Sequence, residues 1–428
     1  MSDQELHRPR DVRLLLAAMG LGSLPYGYTL VVLPIYLSNI GFTGEVIGAI
    51  TSISSIANTV ALIPFAIAAD RYGRKPFALW GFLSATVAYV LFAFTRDLNL
   101  LLIASAVGGV GLAGGLSSAV WTPAWTALLA EKAPHEKRSS AFAWSQGIWA
   151  IALTIGSAMS VIPYFLRTRF QATFATSYEY AFLTLAIFAI LSGLVLFPLS
   201  ETLKTLGTSN GVGSKLLPRS ASQSHIAKFS ITLGLVGFAS GLSVQLLSLW
   251  FNRMYGTSDT VLGPWFAAAE ITSLVIIPII PKLTGALGSA RSAVLTQGVS
   301  ALLLASMIVA PTYQFAASLF IARNFFMNIS WPIQQSYLMG TVRTEERASA
   351  SAITYTVWGI GNSIGPILAG YLLSSASFLS ISLPISVGGA LYLVSAIAFF
   401  FFFRNVAPPE EARIMRKWGF APVRSALE

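Results

Sequence analysis

Twelve apolar runs, each long enough to cross a bilayer and parted only by short polar stretches, leave this chain few ways to fold. About 20 apolar residues carry a helix through the hydrocarbon core. The runs, bounded by charges, Gly and Pro, read as helices at about 13–38, 45–69, 75–95, 99–130, 139–163 and 179–199. The second set reads at about 228–252, 260–283, 290–311, 313–339, 347–374 and 379–403. Several contain Pro (Pro25, Pro64, Pro123, Pro278, Pro332, Pro366), which membrane helices accept when a neighbour satisfies the freed carbonyl. Only 10% of the 428 residues are charged and the mean hydropathy is +0.69, so no sizeable water-soluble domain fits beside them. The expected class is an all-α membrane protein, and an ordinary soluble enzyme is excluded.

The placement of charge tests the topology. The chain has 27 Lys and Arg against 17 Asp and Glu, a net charge of +10. With the N-terminus in the cytoplasm, 22 of those cations fall in cytoplasmic segments and 4 (Arg96, Arg167, Arg169, Arg253) in outer loops, Arg323 lying within a span. That bias follows the positive-inside rule and predicts both termini on the cytoplasmic side of the plasma membrane. A nucleic-acid binder would gather its cations on one wet surface, and these are scattered between apolar runs. There is no Cys, hence no disulfide, thiolate metal site or thiol chemistry. The three His (His7, His135, His225) lie far apart in cytoplasmic segments, so no metal site is expected, and no cofactor motif is found. Met1–Arg13 does not read as a cleaved signal peptide, which leaves the first span as its own insertion signal. The longest internal polar stretch, 201–227, with Lys204, Lys215, Pro218 and Arg219, reads as a cytoplasmic linker. It separates a six-helix bundle at 1–200 from a second at 228–403, followed by a cytoplasmic tail at 404–428.

The two bundles are related. Residues 123–156 laid on 332–365, an offset of 209, match at 11 of 34 positions. Pro123/Pro332, Glu136/Glu345, Arg138/Arg347, Trp149/Trp358 and Gly156/Gly365 carry the most weight. A second stretch matches at an offset of 215 through Gly48/Gly263 and Gly73/Gly288. Two repeats in the same order and orientation imply a pseudo-twofold axis along the membrane normal, the plan of many secondary transporters.

The run Asp70-Arg71-Tyr72-Gly73-Arg74-Lys75 between helices 2 and 3 resembles the signature loop of the major facilitator superfamily. Glu136-Lys137-Arg138 and Glu345-Glu346-Arg347 resemble that superfamily's paired acidic–Arg loops. The likeness spans the chain and is to the drug-exporter-like and general solute branch, without singling out a substrate. It departs from the pattern at Ala66, where a Gly is usual, at Gly285, where the second half lacks the Asp, and in helix 5, which lacks a Gly-Pro pair. The resemblance implies a cytoplasmic gate formed by Asp70, Arg71, Gly73, Arg74, Lys75, Glu136, Arg138, Glu345 and Arg347. A plainer reading leaves the first loop as a solvated basic turn, with Gly73 supplying the left-handed bend.

Charges at bilayer depth are costly and usually functional. Glu270 lies nine residues into helix 8 and Arg323 ten into helix 10. At 1.5 Å per residue, each is roughly 14–15 Å deep, near the midplane. Two readings stay open: proton or cation coupling through Glu270, with Arg323 as its counter-charge, or a static ion pair that fixes packing. Candidate cavity residues are Tyr26, Asn58, Trp121, Trp125, Gln146 and Trp149 in the first half, and Gln245, Asn324, Asn328, Gln334, Trp358 and Asn362 in the second. Any single Trp can equally be a packing or interface residue. The Gly-rich stretch Gly108–Gly115 reads as close helix packing rather than a phosphate loop. Many aromatics and few hydrogen-bonding groups suit an amphipathic solute better than a sugar. The expected function is therefore secondary transport of a small organic solute by alternating access, with proton-coupled export as the leading mode and no enzymatic chemistry. Import or uniport of a metabolite, lipid flipping and sensing are the alternatives. The partners expected are the solute, protons and the bilayer, with no nucleic acid, and the chain is read as a monomer.

Overall fold

The computed structural model describes residues 9–109, 114–134, 138–200, 220–343, 346–407 and 424–425. Among them the chain forms twelve helical spans, numbered here in order. Spans 1 to 6 are Pro9–Asn39, Gly44–Tyr72, Arg74–Phe94, Leu98–Gly108 with Gly115–Lys132, Arg138–Ala158 with Ile162–Phe170, and Phe174–Leu196. Spans 7 to 12 are Ser220–Ser243 with Leu247–Tyr255, Asp259–Val275 with Ile279–Leu287, Ser289–Ser306, Tyr313–Thr341, Arg347–Ser374, and Phe378–Phe403. Eight are single helices long and apolar enough to cross a membrane, and span 8 makes a ninth if its two pieces, bent by 61°, are taken together. The other three have identifiable causes. Span 4 is broken, and spans 10 and 11 dilute their apolar windows with Asn, Gln, Ser, Thr and Gly. A two-residue parallel pairing of Val406–Ala407 with Arg424–Ser425 follows span 12.

The loops after odd-numbered spans define one face, called distal below; the loops after even-numbered spans define the proximal face. At the distal face, four spans start on a capping side chain that satisfies an orphan backbone N–H. Asp97 accepts from Leu100 N (3.1 Å), Thr173 from Thr176 N (3.2 Å), Thr312 from Phe315 N (3.3 Å) and Ser377 from Ser380 N (3.2 Å). Each such cap is worth about 1 kcal/mol and fixes where the chain re-enters the bilayer. Proline inside a helix leaves the carbonyl four residues earlier without its donor. Pro34 does this to Leu30, and the Ser248 hydroxyl of span 7 donates to that oxygen at 3.2 Å.

The described residues cluster into two compact units. The first holds those of Met1–Leu206, Gln245–Ile271 and Pro366–Ala376, and the second those of Gly207–Val244, Thr272–Gly365 and Ser377–Glu428. The first unit thus joins the six first-half spans to the distal ends of spans 7, 8 and 11. Its proximal core packs Leu15, Phe82, Trp121, Trp125, Leu128 and Leu196. The core of the second unit packs Phe229, Ile333, Tyr337, Phe399 and Phe403. The internal repeat is visible in each unit separately. A Cβ on Gly156 would overlap the Leu24 carbonyl of span 1, and one on its counterpart Gly365 would overlap the Gly241 and Leu242 backbone of span 7. Both glycines let two helix backbones touch, which is how membrane helices associate without a hydrophobic drive.

Three expected boundaries change. Span 7 begins at Ser220, inside the stretch read as linker, while 201–219 lie outside the described residues. Span 5 continues through a 3-10 turn at Met159–Val161 to Phe170. Span 4, read as continuous packing helix, is interrupted: Gly109, Gly114 and Gly115 have φ of 86°, 66° and 53°, values that no continuous α-helix permits.

Candidate functional site

The proximal loop between spans 2 and 3 is built by Gly73, whose φ of 109° reverses the chain. Its C-cap N–H bonds to Ala69 O, ending one helix as the next begins. Arg74 Nε then donates to Asp70 Oδ1 at 2.8 Å, and its Nη1 to Glu131 Oε2 at 3.2 Å. Glu131 lies near the proximal end of span 4, so Arg74 ties spans 2, 3 and 4 together. Sequence reading missed Glu131 because it precedes the Glu-Lys-Arg run that drew attention. Arg71 lies over the Tyr72 ring at 5.4 Å and Lys75 over Phe197 at 5.4 Å. Glu136 and Glu345 lie outside the described residues; Arg138 and Arg347 each begin a helix, the latter exposed. The equivalent turn between spans 8 and 9 has Gly288 at φ 79° and open space around Gly285.

A second proximal cluster went unread. Lys132 and Asp11 are almost completely buried, with Lys132 Nζ 3.7 Å from Asp11 Oδ2 and the Ser200 hydroxyl donating to the same oxygen at 2.9 Å. It fastens spans 1 and 4 to the end of span 6. Removing one member of a buried ion pair strands the other, so this cluster holds the half together more than it invites a ligand.

The interior residues divide between the units. In the first, Tyr26 is buried, with its ring 5.5 Å from Trp149, which is half-buried. Trp121 and Trp125 sit in the packed core, and Trp125 Nε1 donates to Leu15 O at 2.8 Å. Asn58, half-buried, donates to Gly115 O at 3.1 Å, bracing the interruption of span 4. Gln146 is exposed, Glu270 half-buried and Gln245 buried. In the second unit, Trp358 lies 6.0 Å from Trp331, so each repeat-related Trp has an aromatic partner of its own. Gln334 is buried and donates to Gln297 Oε1 (2.6 Å) and Ser330 Oγ (2.9 Å), while Gln297 donates to Tyr392 O (2.9 Å). This network ties span 10 to spans 9 and 12. Asn328 donates to Thr272 Oγ1 at 3.5 Å; Asn324 is half-buried and Asn362 buried. Arg323 is 3% exposed, lies over the Tyr392 ring at 5.0 Å, and its Nε has no hydrogen-bond partner. The cation–π contact offsets part of the cost of burying that charge.

The distal part of the first unit is closely packed. A Cβ on Gly48 (span 2) would overlap the Pro366 carbonyl of span 11, and Gly44 is as tight against Gly370. A Cβ on Gly263 (span 8) would come within 2.6 Å of the Ser157 carbonyl oxygen of span 5 and overlap Ser160. Gly48 and Gly263 are counterparts at the offset of 215, Ser157 and Pro366 at the offset of 209. The same contact is therefore made twice, once by each repeat.

Comparison with known proteins places this architecture. The description Major Facilitator Superfamily matches residues 15–252 and 229–426, which together cover nearly all of the chain. The chain belongs to the major facilitator superfamily. An uncharacterized membrane protein of Saccharomyces cerevisiae, YJR124C, is 29% identical over 198 residues, covering 45% of this chain and 43% of that protein. The quinolone resistance protein NorA of Staphylococcus aureus is 25% identical over 126 residues, covering 29% of this chain and 31% of that protein. The chain thus spans less than half the length of these curated relatives. Among solved structures, a bacterial homologue of the human lysosomal transporter Spinster, inward-facing and unoccupied, superposes with a TM-score of 0.69 at 16% identity, covering 93% of this chain and 98% of that one. At that identity the likeness is one of fold. As a superfamily member the chain is a multi-pass membrane protein of two six-helix repeats.

Proposed function

We propose that this chain is a secondary transporter of the plasma membrane that moves a small amphipathic organic solute by alternating access, with export driven by protons. Both termini lie in the cytoplasm, so the distal face is the outer one. The observation that carries the reading is the distal seal: spans of the second repeat meet the first repeat through glycine-on-carbonyl contacts. Such contacts are close but non-covalent and poor in polar bonds, so they can part while each bundle stays folded. Glu270, at bilayer depth on span 8, is the residue through which a proton enters the cycle, and Arg323 supplies fixed positive charge on span 10. Aromatics are prominent among the candidate cavity residues, with Trp149 and Trp358 in repeat-related positions, which favours an apolar body over a polyhydroxyl one. The loop at Asp70–Lys75, tied to Glu131, closes the cytoplasmic side.

The test is uptake of the fluorescent amphipathic cation ethidium into proteoliposomes under an imposed pH gradient. Glu270→Gln is expected to lose at least about 90% of gradient-driven uptake, a barrier of about 1.4 kcal/mol or more, while keeping downhill exchange. Full gradient-driven uptake by Glu270→Gln would remove Glu270 from the coupling role. Movement of fluorescent lipid instead of ethidium would favour the lipid-flipping alternative.

A further inference from the structure

Among the polar contacts that bind first-repeat helices to the distal ends of spans 7, 8 and 11, one buries a charge. Glu45 N donates to Ser374 Oγ (2.9 Å), the Ser248 hydroxyl to Leu30 O (3.2 Å), and Arg253 Nη2 to Ser38 Oγ (3.2 Å). The Tyr178 hydroxyl of span 6 donates to Asp259 Oδ2 at 2.7 Å, and these two residues are 1% and 2% exposed. Asp259 opens span 8, and its other oxygen accepts the Thr260 N–H at 2.9 Å. Arg167 lies over the Tyr178 ring at 5.9 Å, so the donor is held in place from behind. The Tyr28 hydroxyl, fully buried and without a hydrogen-bond partner, stands within electrostatic reach of the same carboxylate. A carboxylate taken out of water is tolerated only when it is paired or well hydrogen-bonded. Thr260 donates to Oδ1 through its N–H and, at 3.5 Å, its hydroxyl, so Tyr178 is the donor that comes from the other repeat and the one that holds Oδ2.

We propose that Tyr178 and Asp259 are the switch of the distal face: closure buries the Asp259 carboxylate and holds only while Tyr178 donates to it. The proposal rests on the alternating-access reading and gives it a named element. When the bond is withdrawn, the cheapest way to rehydrate the carboxylate is for the distal end of span 8 to swing away from spans 5 and 6. The position is asymmetric within the repeat. The counterpart of Asp259 at the offset of 215 is Gly44, which contributes only backbone to its own contact. One side of the seal buries its carboxylate, whereas on the other the neighbouring Glu45 is exposed.

The chain has no cysteine, so one introduced thiol reports without background. Ser160 is fully buried against Gly263 and its hydroxyl has no partner, which makes Ser160→Cys a near-silent reporter under the seal. Full-length protein carrying this reporter, in lipid nanodiscs, is labelled with a membrane-impermeant maleimide in four backgrounds. Tyr178→Phe is expected to label about tenfold faster than the parent, the effect of losing one hydrogen bond to a charged acceptor. Tyr178→Phe combined with Asp259→Leu is expected to label no faster than the parent, since no buried charge is left stranded. The fourth background, Gly48→Trp, wedges spans 2 and 11 apart and is expected to label fastest. Parent-like labelling of Tyr178→Phe, or fast labelling of the double variant, overturns the switch; if the single variant misfolds, the double variant still decides. Slow labelling of Gly48→Trp would show that the distal face does not open and would sink the alternating-access reading itself.

Discussion

The two repeat-related contacts of the distal seal differ in what they bury. Where span 2 meets span 11, Gly44, Gly48 and Gly370 bring backbone against backbone, and a side-chain bond, from Glu45 N to Ser374 Oγ, sits at an exposed edge. Where span 8 meets spans 5 and 6, Gly263 makes the same approach, but the helix opens on Asp259, buried under Tyr178. The two places share their backbone geometry, and an ionisable group stands in only one of them at the equivalent position, Asp259 against Gly44. A symmetric seal would open or close with nothing to bias it. Under the proposed switch, an asymmetric one gives the solvent a charge to compete for, and a single side chain would move its equilibrium.

That contrast can be broken or sharpened by substitution. Gly263→Val is expected to have the largest effect, because its side chain has no room beside Ser157 and Ser160. Overpacking of this kind costs about 1–3 kcal/mol, and here the closed state alone bears it, so a thiol at position 160 should label at a rate raised ten- to a hundredfold. Asp259→Gly, which turns span 8 into a copy of span 2 at this position, should do the reverse. Labelling is expected to fall about threefold or more, the reciprocal of part of the desolvation cost removed, and ethidium uptake should fall with it. Ser374→Ala should have the smallest effect, since the bond it removes is exposed and worth about 0.5 kcal/mol; labelling within about twofold of the parent is the expected result. If Ser374→Ala and Asp259→Gly moved the rate equally, the claim of asymmetry would fail.

The spans and the repeat were legible in the sequence because both follow from spacing. Apolar runs of bilayer length must be helices, and Pro, Trp, Glu and Arg matches at one offset are hard to produce by chance. The loop at Asp70–Lys75 stood out through its resemblance to the superfamily signature, not through spacing. The interruption of span 4 was not, because Gly serves both close packing and left-handed backbone, and Gly108–Gly115 fits either use until φ is known. Asp259 gives no signal in the sequence, because an acid at a helix start normally faces water and favours the helix dipole. Its partner lies 81 residues away, and no pattern in the chain couples the two. Trp121 and Trp125 were grouped with the cavity on residue type, whereas the structure sets them among Leu15, Leu128 and Leu196. Type alone does not tell which face of a helix a side chain occupies.

The proline at position 34 sets a condition on the opening proposed for the distal face. Its helix leaves the Leu30 oxygen without a donor, and Ser248 answers it only while the distal ends stay together. Their separation under alternating access would leave that oxygen with nothing to bind in hydrocarbon, at a cost of several kcal/mol. The gap must therefore fill with water as it forms, which makes a wet vestibule facing the aqueous phase the permitted opening and penalises a dry slit facing the lipid tails.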